Sequence, residues 1–185
     1  MVLYLLRHEL RNPHNTHFQT NLTSIGKYNS NTKLYNKLLN INIDEIYSSP
    51  YKRALETVKI YSLSQNVPIK IDWALSEYLD DNARQKNKDI SFPNKKEQNI
   101  IHKNYNIDNE YLPTTEQDYI DTYFESRESF EKRVDNFILF LYTKLYQNIL
   151  VVTHSAICDR ITEKLMGNTK KLEMGQCFKL DFYPI

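Results

Sequence analysis

The chain has 185 residues and a formal net charge of +1, a length that suits one domain with a sizeable core. The near-balance of charge excludes a broad electrostatic surface for nucleic acid or an acidic membrane. Two cysteines, Cys158 and Cys177, are too few for a disulfide scaffold or a zinc pattern and read as reduced thiols of a cytoplasmic protein, and no apolar run approaches the roughly 20 residues of a membrane helix.

Val2–Leu6 is a short continuous apolar run of β-formers, the pattern of a strand buried on both faces of a parallel sheet. Residues 22–39 carry Leu22, Ile25, Leu34, Leu38 and Leu39 on a polar background, which predicts one helix interrupted near Asn29–Thr32. Asp44–Ser48 reads as a second strand. A helix over Pro50–Leu63 follows it, with serine at the cap and Pro50 at the first helical position. Pro68–Trp73 reads as a third strand. The stretch 80–126 is polar and rich in Lys, Asn, Asp and Glu, with Pro93 and Pro113 inside it. A connection of this length is a functional or a disordered one, and it reads as a partly helical insertion, a lid over the site. Its lysine-rich part, Lys86–Lys96, is either a solvated face or a means of attracting an anionic substrate.

Phe130, Val134, Phe137, Leu141 and Leu145 recur at helical spacing and predict an amphipathic helix over 127–146. Asn148–Thr153 is a fourth strand, followed at once by a helix over Ala156–Met166 that Gly167 ends. Cys177–Tyr183 alternates apolar and polar residues, as an edge strand does. No repeat or linker divides the chain, so residues 1–185 read as one domain. Strands alternating with helices predict an α/β fold, with a mostly parallel sheet covered on both faces.

In such sheets ligands bind beyond the carboxyl ends of the strands. There the sequence places Arg7 and His8 after the first strand, Arg53 in the first turn of the helix after the second, Glu77 after the third and His154 after the fourth. Two guanidinium forks match a tetrahedral phosphate dianion, and helix N-termini near Pro50 and Ala156 add N–H donors. A neutral imidazole can attack and form a covalent intermediate, and a carboxylic acid can protonate the leaving alcohol and then activate water. The set suffices for phosphoryl transfer with no metal or other cofactor, fixed positive charge standing where Mg²⁺ does elsewhere. His14, His17 and His102 show no metal-ligand spacing, and no Gly-rich loop follows the first strand to bind a dinucleotide.

At these positions the sequence resembles the histidine phosphatase superfamily, the phosphoglycerate-mutase-like branch 1. Leu5-Leu6-Arg7-His8-Glu9 resembles its Arg-His signature, and Leu22-Thr23-Ser24-Ile25-Gly26 its LTxxG helix start. Tyr47–Thr57 resembles the SSPxxRAxxT block, Leu75-Ser76-Glu77 the LxE block and Val151-Val152-Thr153-His154 the VVTH block. The five occur in the family's order. The resemblance implies a three-layer α/β/α sandwich. It implies a phosphohistidine on His8, a phosphate held by Arg7, Arg53 and His154, and a proton donated by Glu77. A family asparagine that contacts phosphate beyond the nucleophile falls at Asn15, with His14 the alternative; Ser155-Ala156 departs from the Gly or small polar pair that follows the second histidine in the family, and Ser155 is taken as substrate-binding through its backbone donor. The sequence departs from the family at Glu9, where Gly or Ala is usual, and at Tyr78-Leu79-Asp80-Asp81, so that Asp80 or Asp81 is an alternative to Glu77.

The expected activity is hydrolysis of a phosphate monoester, the substrate being a small phosphorylated molecule or a phosphoprotein. The alternatives are a phosphoglycerate-type mutase, which the short chain disfavours because family mutases carry a larger covering insertion, and an inactive phosphate-binding module.

Overall fold

β1 (Val2–Arg7) runs one residue beyond its apolar stretch, so Arg7 still belongs to the strand and His8 is the first residue past it. It pairs in parallel with β4 (Asn148–Thr153) and antiparallel with β5 (Cys177–Asp181). β2 (Glu45–Ser48) lies parallel between β4 and β3 (Ile69–Ile71). The strand order is therefore β3-β2-β4-β1-β5, with one antiparallel edge. This computed structural model describes residues 1–15, 17–79, 95–115, 125–144 and 147–181. Of the expected insertion, residues 80–94 and 116–124 lie outside the described residues, with Asp80, Asp81 and the lysine-rich stretch up to residue 94; so do Leu145 and residues 182–185.

Period-two alternation sorts the side chains of the strands between two helical layers. Leu3, Leu5, Tyr47, Ile149 and Val151 pack against α5 (Arg127–Leu141) and α6 (Ser155–Met166) through Phe130, Val134, Phe137, Leu141, Ile157 and Ile161. Leu6, Ile46, Leu150 and Val152 pack on the opposite face against Leu34, Leu38, Ala54, Leu55 and Val58, which belong to the run 24–39 and to α3 (Lys52–Gln65). Burying each large apolar side chain contributes about 1.5–3 kcal/mol, and both faces of the central strands are used. The fold is the expected α/β/α sandwich.

Local signals held with instructive differences. α1 (Ser24–Asn29) and α2 (Tyr35–Leu39) are joined by a wide π-helical segment, Ser30–Leu34. The interruption expected near Asn29–Thr32 is thus a change of helical pitch within one run. Thr23 caps α1 by accepting a bond from the Gly26 N–H, and a Cβ on Gly26 would lie 2.3 Å from the Leu10 carbonyl oxygen, which explains the glycine of this block. α3 starts at Lys52 with Tyr51 before it, so neither Pro50 nor a serine cap opens this helix. The expected third strand is shorter than 68–73: its end becomes the 3₁₀ turn Trp73–Leu75.

That turn is fixed by Asp72, which is fully buried. Its carboxylate accepts bonds from the Ala74 N–H, the Thr114 N–H and hydroxyl and the Tyr111 hydroxyl, at 2.7–3.1 Å. A buried carboxylate needs such a set to offset its desolvation. The same contacts tie residues 111–114 to the strand end that leads to Glu77. α4 (Lys95–His102) precedes this segment.

Behind the nucleophile candidate, the Gly175 N–H donates to the carbonyls of Arg7 and His8 at 3.0 and 3.1 Å. Gly175 has φ +77°, and a Cβ there would lie 2.1 Å from Glu9 Oε1. Gly175→Ala should lower stability by about 2–5 kcal/mol, about 1–2 from the left-handed backbone and about 1–3 from overpacking. In a double-mutant cycle read by chemical denaturation, Glu9→Ala should offset the second part alone. Strictly additive losses would contradict this account.

Candidate active site

Arg7 and Thr153 are partners in the β1–β4 register, so His8 and His154 leave the sheet side by side. The His8 N–H donates to the Thr153 carbonyl at 2.9 Å, and the ring centroids are 5.2 Å apart. The first turn of α3 brings Arg53 between them. Its guanidinium has no solvent exposure. Nε donates to His8 Nε2 at 3.3 Å, and Nη1 to the His17 carbonyl at 3.1 Å. Nη2 lies 3.2 Å from His154 Nδ1 and 3.5 Å from Glu77 Oε2, and the Tyr51 ring lies beneath the group at 4.4 Å. Glu77 reaches the cluster from the turn that Asp72 fixes, with Oε2 3.2 Å from His154 Nδ1. Its side chain is 19% exposed, the wettest of the four.

His8, Arg53, Glu77 and His154 therefore converge. Arg7, the last residue of β1, makes none of these contacts. One of its Nη atoms donates to the Leu172 carbonyl at 2.7 Å, while its buried Nε has no hydrogen-bond partner among the described residues. Ser155 opens α6 directly after His154. Asn15 does not join the cluster: its side-chain oxygen accepts bonds from the His17 N–H and the Thr20 hydroxyl within its own loop. His14 is exposed, and its N–H donates to the Asn12 side chain.

One neighbour was not foreseen. Arg11 is held by the carbonyls of Asn12, Pro13 and Asn15, which accept from its Nη1 at 2.8–3.4 Å. Its Nε is buried with no hydrogen-bond partner among the described residues, and its charge acts on Glu77, Arg7, Arg53 and His154. The available signal was an arginine three residues after His8, in a loop whose polar composition reads as solvated.

The electrostatics fix the protonation states. His8 Nδ1 is 2.8 Å from the Glu9 carbonyl oxygen, which can only accept, so Nδ1 carries the proton and Nε2 is the bare nitrogen that accepts from Arg53. Burial first, then His154 and Arg53, lower the His8 pKa to about 2. Burial likewise lowers that of His154 to about 4, although Glu77 pulls the other way. Burial disfavours the Glu77 carboxylate, but His154, Arg53 and His8 outweigh it and hold the acid well below the usual carboxylate range. Burial also lowers Arg53, to about 10, leaving it charged at neutral pH.

His8, Glu77 and His154 each offer a ligand atom, all within 4.8 Å of one another, and a His₂Glu set can bind zinc. Arg53 argues for the opposite charge. A cation among these donors would meet a guanidinium already 3.3 and 3.2 Å from the two ring nitrogens. What fits beside the Arg53 guanidinium and the N-terminus of α6 is a tetrahedral anion.

The depressed histidine values fix a sign for stability. The unfolded chain takes up protons on these rings near pH 6.5, whereas the folded chain resists down to about 4 at His154 and about 2 at His8. Stability is therefore whole above pH 6.5 and falls on acidification, by at most about 1.4 kcal/mol per pH unit for each ring. Between pH 6.5 and 5 denaturant titration should show a loss of about 2–4 kcal/mol, and His8→Gln should remove about half of that slope. A slope unchanged by His8→Gln would contradict these protonation states.

The family model of the histidine phosphatase superfamily (branch 1) matches residues 3–181. No curated protein sequence matches the chain. Among solved structures, an ecdysone phosphate phosphatase from Bombix mori is 17% identical with a TM-score of 0.74, over 98% of this chain and 89% of that one. The alpha-ribazole phosphatase of Shigella flexneri is 22% identical with a TM-score of 0.69, over 99% and 91%. A phosphoglycerate mutase from Bacillus anthracis is 19% identical with a TM-score of 0.66, over 97% and 86%. At these identities the solved structures speak for the fold, while the family model takes in nearly the whole sequence: the chain belongs to branch 1 of the histidine phosphatase superfamily.

Proposed function

We propose that the protein is a phosphatase that hydrolyses phosphate monoesters through a phosphohistidine on His8. The observation that carries this reading is the state of His8: a buried neutral imidazole whose Nδ1–H is fixed by the Glu9 carbonyl and whose bare Nε2 faces Arg53. An imidazole in that state is a nucleophile at neutral pH.

In the proposed reaction Arg53, Arg7, Arg11 and His154 bind the oxygens of the phosphoryl group, and Ser155 borders it at the start of α6. The Arg53 Nε–H turns from His8 to a phosphate oxygen and frees the lone pair. Nε2 attacks phosphorus, the P–N bond forms as the bond to the leaving oxygen breaks, and Glu77 gives that oxygen its proton. Glu77 then takes a proton from water, the resulting hydroxide displaces His8, and phosphate leaves. The part of Asn15 is indirect, through the carbonyl that holds Arg11.

Glu77 is ionised in the resting site, so its proton has to arrive with the substrate. A phosphate monoester keeps one proton below its second pKa of about 6, and transfer of that proton to Glu77 charges the acid as the phosphate becomes a dianion among the guanidiniums. kcat/KM should therefore fall about tenfold per pH unit above about pH 6.

Three measurements test the reading. His8→Ala should abolish turnover of a panel of phosphorylated metabolites while keeping the fold, and wild type should form an acid-labile phosphoryl adduct that this variant lacks. Glu77→Gln should slow alkyl phosphates far more than activated aryl phosphates; equal losses would remove Glu77 as the acid. Product analysis with a phosphoglycerate separates hydrolysis from phosphoryl return, and an isomerised phosphoglycerate in place of free phosphate would identify a mutase. No adduct and no turnover would leave a phosphate-binding module.

A further inference from the structure

The Ser-Pro pair at positions 49–50 looked like a helix cap, yet α3 opens later and the Ser49 hydroxyl is used elsewhere. Ser49 is fully buried, and its own N–H donates to the Val152 carbonyl at 2.9 Å, which locks the residue to the end of β4. Its Oγ has two neighbours: it accepts from the Tyr51 N–H at 3.3 Å, and it lies 2.8 Å from His154 Nε2. A hydroxyl brings one proton of its own. The Tyr51 amide is a donor and cannot take it, so among the described residues the one acceptor for that proton is His154 Nε2.

This decides a question that the ring's other side leaves open. His154 Nδ1 lies 3.2 Å from Arg53 Nη2, a donor, and 3.2 Å from Glu77 Oε2, an acceptor. Either tautomer would find a partner there. If Nε2 carried the proton, it would have to donate to Ser49 Oγ. The hydroxyl proton would then be buried without an acceptor, an arrangement that costs about 1–3 kcal/mol, and the bare Nδ1 would face the Glu77 carboxylate. With Nε2 bare, every group is served: the Ser49 hydroxyl donates to Nε2, and the Nδ1–H and the Arg53 Nη2–H both donate to Glu77 Oε2.

We infer that Ser49 is a positioning residue, whose hydroxyl holds His154 as the Nδ1–H tautomer and so aims a neutral donor at the transferring phosphoryl group. The inference rests on the proposed reaction for its catalytic meaning. The charged and titratable groups around the ring are Arg53, Glu77, Arg11, His8 and Tyr51, whose ring lies 5.0 Å from that of His154. None of the first four reaches Nε2, so the control is exerted from the side of the ring away from the substrate. At metal sites, where a histidine is likewise fixed through its outer nitrogen, such contacts set ring tautomer and orientation, and their loss costs about 10–100-fold in affinity or activity.

The test reads the tautomer directly. In ¹⁵N-histidine-labelled protein at neutral pH, the His154 signals should report a protonated Nδ1 and a bare Nε2. Ser49→Ala should shift the population toward a protonated Nε2, with Nδ1 accepting from Arg53, and should lower kcat about 10–100-fold with little change in KM. A wild-type ring protonated at Nε2 would overturn the inference, whether or not the variant folds. So would a Ser49→Ala protein that keeps the Nδ1–H form, whatever its turnover, and a changed tautomer with unaltered kcat would remove the catalytic part. Because the spectrum requires no substrate, failure here is distinguishable from failure of the phosphatase reading, which would appear as absent turnover in wild type.

Discussion

A guanidinium with no access to water stands at the centre of this molecule. Burying such a charge is unfavourable by several kcal/mol unless its surroundings compensate. Around Arg53 they do: a carboxylate, the bare Nε2 of His8, a main-chain carbonyl and an aromatic face. Each of these is supplied by a different part of the chain and fixed there by its own contacts. Glu77 depends on the Asp72 turn, His8 and His154 on the β1–β4 register, and the His17 carbonyl on the loop that also holds Arg11. The charge and the protonation states are thus one arrangement. A permanently charged arginine keeps the acid ionised, and burial in the same place keeps the imidazoles neutral.

Within the cluster Glu77 is the least enclosed group, at 19% exposure, while both rings are buried. An anion entering the pocket changes the balance that Arg53 sets, because the guanidinium then serves two negative partners rather than one.

The fold was legible in the sequence because its signals are local and repeated. The apolar runs of β1 and β4 and the stripe from Phe130 to Leu141 each state their own environment, and the helix end at Gly167 follows from a single residue. The positions of His8, Arg53, Glu77 and His154 at strand ends were legible through the parallel-sheet rule together with the family blocks. Other features were not. The Ser49-Pro50 pair carries a genuine helix-start pattern, but a hydroxyl beside a histidine 105 residues away is decided by tertiary packing. Arg11 was hidden because an arginine in a polar loop has the composition of a solvated residue, and only the fold reveals that its Nε is buried. Glu9 looked like a departure from a small residue, whereas its side chain lies against Gly175 and its N–H is taken by the Thr57 hydroxyl at 3.0 Å.

The pairing of β1 with β4 joins the second residue of the chain to the 148th, and the two imidazoles stand at the far end of that seam. No fragment made early in synthesis can own both rings, and no partly folded form lacking the seam can own the pocket. The cluster of His8 and His154 is therefore an all-or-none attribute of the closed sheet: a chain halted before its last third, or opened along that one seam, would not bring the two rings together.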